Sequence, residues 1–115
     1  QGALLQWSDR ERVDLVVTTG GTGLAPRDWT PEATAPLIHR MAPGISEALR
    51  RDGMSRTPMA ALSRGVAGVR GSTLIINLPG SERAVREGME VLARILPHAI
   101  EILRSGAEHD TDTGR

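Results

Sequence analysis

The chain contains no cysteine, no phenylalanine and no tyrosine, and its 115 residues include no lysine, so all fourteen basic side chains are arginines. Without cysteine there is neither a disulfide framework nor a thiol nucleophile. Without lysine there is no Schiff-base chemistry, and any side-chain cation that meets an anionic ligand is an arginine. Trp7 and Trp29 are the only aromatics, which leaves little for stacking on single-stranded nucleic acid. The formal net charge of zero argues against a general binder of nucleic acid or membrane surfaces. No stretch approaches the roughly 20 apolar residues of a bilayer span and no signal peptide is visible, so the expected setting is cytoplasmic. What remains for a core is Leu, Ile, Val, Ala and Met in a single small domain, where a chain of this length buries on the order of two-thirds of its surface.

Helix and strand patterns alternate in the manner of an α/β fold with a mostly parallel sheet. Ala3 to Arg12 reads as the tail of an amphipathic helix and Asp14 to Thr18 as a central strand. Helices are predicted from Pro31 to Met41 and from about Gly44 to Asp52, with one more helical turn from Pro58 to Leu62. The glycine-rich stretch Gly65 to Arg70 suits an irregular strand or hairpin arm. Ser72 to Leu78 is the second strand. Ser81 caps a helix predicted to end at Leu96, and Pro97 opens another that ends near Ser105. Residues 1–105 thus form one domain, and 106–115, with no apolar periodicity, form a tail expected to be disordered.

The run Leu15-Val16-Val17-Thr18-Thr19-Gly20-Gly21-Thr22-Gly23 places a buried strand directly before a loop with almost no side chains. Glycines let successive N–H groups converge on a phosphate, and threonine hydroxyls add donors at the rim. Asp28 follows, then Thr30-Pro31-Glu32, which reads as an N-cap, a proline at the first helical position and an acid in the first turn. A carboxylate beside a phosphate cradle suggests an intervening divalent cation; the competing reading is a helix cap or a pair with Arg27. Two common phosphate loops are excluded. A Walker A loop requires lysine, and in a dinucleotide fingerprint counted from Gly21 the third glycine position is Pro26. In open sheets ligands sit at the carboxyl ends of strands, and Pro79 to Ser81 is a second such end.

The string Thr18-Thr19-Gly20-Gly21-Thr22-Gly23 with Arg27-Asp28 and Thr30-Pro31-Glu32-Ala33, together with Ser63-Arg64, Gly68, Arg70-Gly71 and Thr73-Leu74-Ile75-Ile76-Asn77-Leu78-Pro79-Gly80-Ser81, resembles the molybdenum-cofactor biosynthesis family. That family comprises the molybdopterin adenylyltransferases of bacteria and plants and the G domain of gephyrin, and the resemblance covers about Asp14 to Leu103. Trp29 and Glu82 replace residues that are often small aliphatic and proline in relatives. The family's opening strand, helix and second strand, with a further acidic residue, are absent before Gln1, so the chain is expected to be part of a longer protein.

The resemblance implies a three-layer α/β/α fold of the molybdopterin-binding kind. It implies adenylylation of molybdopterin by ATP with release of pyrophosphate, assisted by Mg²⁺, in a homotrimer. On this reading Thr19, Gly20, Gly21, Thr22, Gly23, Ser63, Arg64, Asn77, Pro79, Gly80 and Ser81 bind the substrates, and Asp28 is both catalytic and the metal ligand. Ser63 and Arg64 are favoured mainly by the resemblance. Asn77 serves equally as a partner for backbone groups, Arg70 as a solvated surface residue, and His39, His98 and His109 are not spaced as metal ligands. The alternatives are a non-catalytic molybdopterin-binding or scaffold module and a nucleotide-pyrophosphate hydrolase on the same fold.

Overall fold

The strand with most to bury organises the domain. In the computed structural model, which describes residues 1–112, all six residues of Thr73–Leu78 are buried. A strand apolar on both faces is stable only between covering layers. In chain order the elements are α1 (Gly2–Leu5, continued by a π-helical turn Gln6–Arg10), β1 (Leu15–Thr19), α2 (Thr30–Thr34, then a 3₁₀ turn Ala35–Leu37), β2 (Arg40–Met41), α3 (Pro43–Met54), a 3₁₀ turn Pro58–Leu62, β3 (Ala67–Arg70), β4 (Thr73–Leu78) and α4 (Glu82–Asp112). The sheet order is β1-β4-β3-β2.

Leu74, Ile76 and Leu78 point to one face, where Leu92, Leu96, Ala99 and Leu103 of α4 and Ile45 and Leu49 of α3 pack on them. Ile75 points to the other face with Val16 and Leu4. Period-two alternation along β4 therefore feeds two cores, and the helices form layers on both sides. Polar residues on the second face are matched to one another. Asn77 donates to the Thr18 hydroxyl at 2.8 Å and the Thr34 hydroxyl at 3.2 Å, and accepts from the Val66 amide at 3.1 Å. Its side chain is thus fully engaged within the fold.

The α/β class and the layering agree with the sequence reading, but the sheet is mixed. Only β1 and β4 run parallel, while β3 pairs antiparallel with both β4 and β2. The reason is the two-residue loop Gly71-Ser72 between the paired residues Arg70 and Thr73, with Gly71 at φ +60°, the position a tight hairpin reserves for glycine. The strand expected to be central, β1, instead lies at the edge of the sheet among the described residues, and β4, buried along its whole length, stands between β1 and β3. The helix predicted from Pro31 to Met41 stops at Thr34, because Pro36 has no N–H to continue it, and Arg40–Met41 joins the sheet instead.

At Pro97 the opposite happens. α4 continues through it to Asp112, since the stripe Val85, Leu92, Leu96, Ala99 and Leu103 keeps one face of the helix on the core across the missing hydrogen bond. The segment expected to be disordered from Gly106 is therefore helical in its first part, and the remainder of that expectation lies outside the described residues. Arg70 is no solvated side chain: it grips Asp9 through two 2.9 Å bonds and donates to the Leu37 carbonyl, fastening α1 to the hairpin.

Candidate functional site

Parallel pairing sets Thr19 opposite Leu78, so the segments that follow both strands leave the sheet side by side. The Gly20 amide donates to the Leu78 carbonyl at 2.9 Å, extending the ladder by one bond into the loops. Beyond it the two backbones touch. A Cβ built on Gly80 would lie 3.0 Å from the Gly20 Cα, so a side chain there would press on the first loop, whereas at Gly20 it is the positive φ rather than the crossing that favours glycine.

The other glycines answer to equally specific neighbours. Gly20 and Gly21 have φ of +88° and +70°. A Cβ on Gly21 would overlap the Thr30 hydroxyl oxygen, and one on Gly23 would lie 2.8 Å from Asp28 Oδ2. Thr30 is not the N-cap predicted from the sequence. Its hydroxyl donates to the Gly20 carbonyl at 2.8 Å and its amide to the Gly21 carbonyl at 3.0 Å, so the start of α2 is stitched into the loop. The loop's glycine content is accounted for by close packing of the loop on itself, on Pro79 to Ser81 and on α2.

Between these loops, α3, the turn Pro58–Leu62 and the start of α4 lies a cleft of about 460 Å³. Gly20, Gly21, Thr22, Gly23, Asp28, Ser63, Asn77, Pro79, Gly80 and Ser81 all line it. Thr19 and Arg64 do not. Thr19 is exposed at the end of β1. Arg64 acts behind the loop as a clasp: Nε donates to the Gly23 carbonyl at 2.8 Å, Nη2 to the Asp28 carbonyl at 2.7 Å, and Nη1 pairs with Glu32 Oε2 at 2.5 Å. Its amide donates to the Thr22 carbonyl, so one residue ties down the loop at three places and joins it to α2.

Asp28 is half-buried and faces the cleft. Its Oδ2 accepts from the Ala25 amide at 3.0 Å while its own amide donates to the Ala25 carbonyl, closing a tight turn that fixes the carboxylate. It neither caps α2 nor pairs with Arg27 in the structure. Ser81 does cap its helix, with Oγ accepting from the Ala84 amide at 3.1 Å, and Ser81, Arg83 and Ala84 at this helix start line the cleft. Ser63 Oγ accepts from the Gly65 amide at 3.3 Å. Trp29, next to Asp28, is exposed and outside the cleft lining.

Five charged residues of the lining were absent from the sequence reading: Arg50, Asp52 and Arg56 from α3 and the turn after it, and Arg83 and Glu87 from α4. Asp52 with Arg56 and Arg83 with Glu87 stand at i,i+4, a spacing visible in the sequence but usual on any solvated helix face. Only the packing of α3 against α4 reveals their shared location. Arg50 donates to the carbonyls of Ser63 and Gly65 and so anchors the cleft's far wall. Among the described residues no group of three or more His, Cys, Asp or Glu could hold a metal ion. An ion at Asp28 would have to draw most of its ligands from phosphate and water, as Mg²⁺ commonly does. No described helix is long and apolar enough to cross a membrane.

Comparison with known proteins places this geometry in context. A family model described as a probable molybdopterin binding domain matches residues 1–98. The molybdenum cofactor synthesis protein cinnamon of Drosophila melanogaster is 48% identical over 103 residues, covering 90% of this chain and 17% of that protein. A molybdopterin adenylyltransferase of Helicobacter pylori is 44% identical over 101 residues, covering 88% and 57%. The crystal structure of the molybdopterin biosynthesis enzyme MoaB from Thermus thermophilus superimposes with a TM-score of 0.83 at 58% identity, covering 89% of this chain and 64% of that one. The chain thus spans less than two-thirds of each of these relatives.

Two outcomes follow from the packing of the loop. Gly21→Ala is expected to destabilise the domain by about 1–3 kcal/mol in urea unfolding, because the methyl must displace Thr30. Because Thr30→Ala also loses the hydrogen bond to the Gly20 carbonyl, the comparison is a double-mutant cycle: Gly21→Ala should cost less in the Thr30→Ala background than in wild type, retaining about 1 kcal/mol from the positive φ; equal costs in the two backgrounds would show that the contact is irrelevant. The second outcome concerns acid. The Arg64 guanidinium, chiefly by its hydrogen bond, holds the Glu32 carboxyl below its ordinary value of 4.5. A lowered folded pKa means a contribution fully present above that ordinary value and lost as the pH falls through the folded one. The melting-temperature difference between wild type and Glu32→Gln should therefore be constant from about pH 7 to 5 and shrink below the ordinary value of 4.5.

Proposed function

Since the chain belongs to the family of the probable molybdopterin binding domain, we propose that its cleft takes ATP and molybdopterin and supports transfer of the adenylyl group between them. One observation carries this reading: two glycine loops and the N-terminus of α4 converge on a single cleft that also holds a fixed carboxylate, Asp28. Backbone amides at a helix start and in glycine loops are suited to phosphate oxygens, and a carboxylate among them is suited to a phosphate-bound cation. The name of the Helicobacter pylori relative supports the same activity.

In the reaction a terminal phosphate oxygen of molybdopterin attacks the α-phosphorus of ATP. The new P–O bond forms as the bond from that phosphorus to the α,β-bridging oxygen breaks, and pyrophosphate leaves. The protein contributes no covalent step. Amides of the two loops and of the α4 N-terminus orient the phosphates and counter the charge on the transferring group. Arg64, outside the cleft lining, holds the first loop in shape. The lysine-free composition leaves Arg50, Arg56 and Arg83 as the side-chain cations of the cleft. When bound, Mg²⁺ supplies further charge neutralisation at phosphate, and Asp28 is the side chain that would hold it.

Asp28→Asn keeps an oxygen that can accept from the Ala25 amide and removes only the charge. It is expected to fold as wild type does and to lower the adenylylation rate at least about tenfold, within the range typical of a lost transition-state contact. A rate within about threefold of wild type would overturn the role of Asp28. Binding of both substrates by the wild-type protein without formation of adenylyl-molybdopterin would instead leave a binding module.

A further inference from the structure

The cleft assigned to anionic phosphates carries no net charge of its own. Arg50, Arg56 and Arg83 line it together with Asp28, Asp52 and Glu87. Two of the arginines converge on one carboxylate. Arg56 Nη1 lies 2.7 Å from Glu87 Oε2, and Arg83 Nε lies 2.8 Å from Glu87 Oε1. Arg56 also meets Asp52 at 2.5 Å, so a chain Asp52, Arg56, Glu87, Arg83 crosses from the end of α3 to the first turns of α4. Asp52 and Glu87 together raise the Arg56 pKa above its ordinary value.

The members of this chain differ in freedom. The Glu87 side chain is 20% exposed and the Arg56 side chain 34%, whereas Arg83 is 76% exposed. Arg56 is gripped by two carboxylates. Arg83 has one, through an exposed i,i+4 pair of the kind that contributes little and yields readily to a competitor. Arg83 stands two residues after Ser81, beside the helix start that the phosphate reading uses. Glu87 presents its two oxygens to two guanidinium groups, as two oxygens of a phosphate would.

We propose that Glu87 acts as an internal stand-in for substrate phosphate, neutralising Arg56 and Arg83 in the unliganded protein and yielding Arg83 to an incoming polyphosphate. This rests on the reading of the cleft as a phosphate site and adds a specificity-determining residue to it. Arg56 stays as the fixed anchor while Arg83 changes partner. A singly charged anion gains too little from Arg83 to displace an anchored carboxylate. A polyphosphate, held at the same time by loop amides, gains enough. Glu87 thereby sets the charge a ligand must carry to be retained.

The test is a double-mutant cycle read by calorimetric titration with inorganic tripolyphosphate on wild type, Glu87→Gln, Arg83→Ala and the double variant. Glu87→Gln should bind about threefold to tenfold more tightly, the effect expected of removing one nearby charge at a solvated site. Arg83→Ala should cost at least about threefold more affinity in the Glu87→Gln background than in wild type, because only there is Arg83 already released. Unchanged or weaker binding by Glu87→Gln, or equal effects of Arg83→Ala in both backgrounds, would overturn the inference and leave the phosphate site standing. Absence of tripolyphosphate binding to all four proteins would overturn the phosphate reading itself. Glu87→Gln keeps the length and shape of the side chain; should it fail to fold by circular dichroism, Glu87→Ala, which removes the same charge in a residue of high helix propensity, takes its place with the same expectations.

Discussion

The contact between the Gly20 and Gly80 backbones is the constraint on which the candidate site depends. It exists because β1 and β4 pair in parallel with Thr19 opposite Leu78, so that both chains leave the sheet at the same level and in the same direction. Antiparallel pairing would send the two loops to opposite ends. With a Cβ at Gly80 only 3.0 Å from the Gly20 Cα, a side chain there would push the two loops apart and shift one wall of the cleft. The buried run Thr73–Leu78 supplies the stability that holds this register, since a slip of one residue would turn Leu74, Ile76 and Leu78 to the face that now takes Ile75 and Asn77.

Charge is handled on two levels around this contact. Behind the first loop, Arg64 joins the carbonyls of Gly23 and Asp28 to Glu32 and shapes the loop without entering the cleft. Inside the cleft, arginines and carboxylates balance and pair with each other. On the proposed reading, selectivity for an anion does not come from a standing positive field but from oriented amides at the loops and at the α4 N-terminus, and from Arg83 exchanging Glu87 for the ligand.

The sequence made legible whatever depends on neighbours along the chain. The two strands that carry the loops, the hairpin arm before Gly71, the Ser81 cap and the two glycine loops of the cleft were read from apolar runs, glycines and cap residues, whereas the wall built by α3, the turn after it and α4 was not. What it hid depends on tertiary partners. Nothing local distinguishes Arg64, which clasps the loop, from Arg50 or Arg83, which line the cleft, because one arginine looks like another until its neighbours are known. Thr30 had the sequence of an N-cap, yet its hydroxyl is drawn to the Gly20 carbonyl. Pro97 looked like a helix boundary, but continuous burial of one face of α4 outweighs a single lost hydrogen bond. The glycines were read as room for a ligand, whereas each already has a protein atom against it.

The proposed phosphate site lies where the two glycine loops meet. Amide chemical shifts of the ¹⁵N-labelled protein, followed during titration with ATP and Mg²⁺, test it most directly. Saturable shifts are expected to concentrate at Gly20 to Gly23 and Gly80 to Ala84, with little change at Asp9, His39 and Gly71 around the Arg70 clamp. Saturable shifts centred on that clamp, with the glycine-loop amides unmoved, would contradict this placement of the site.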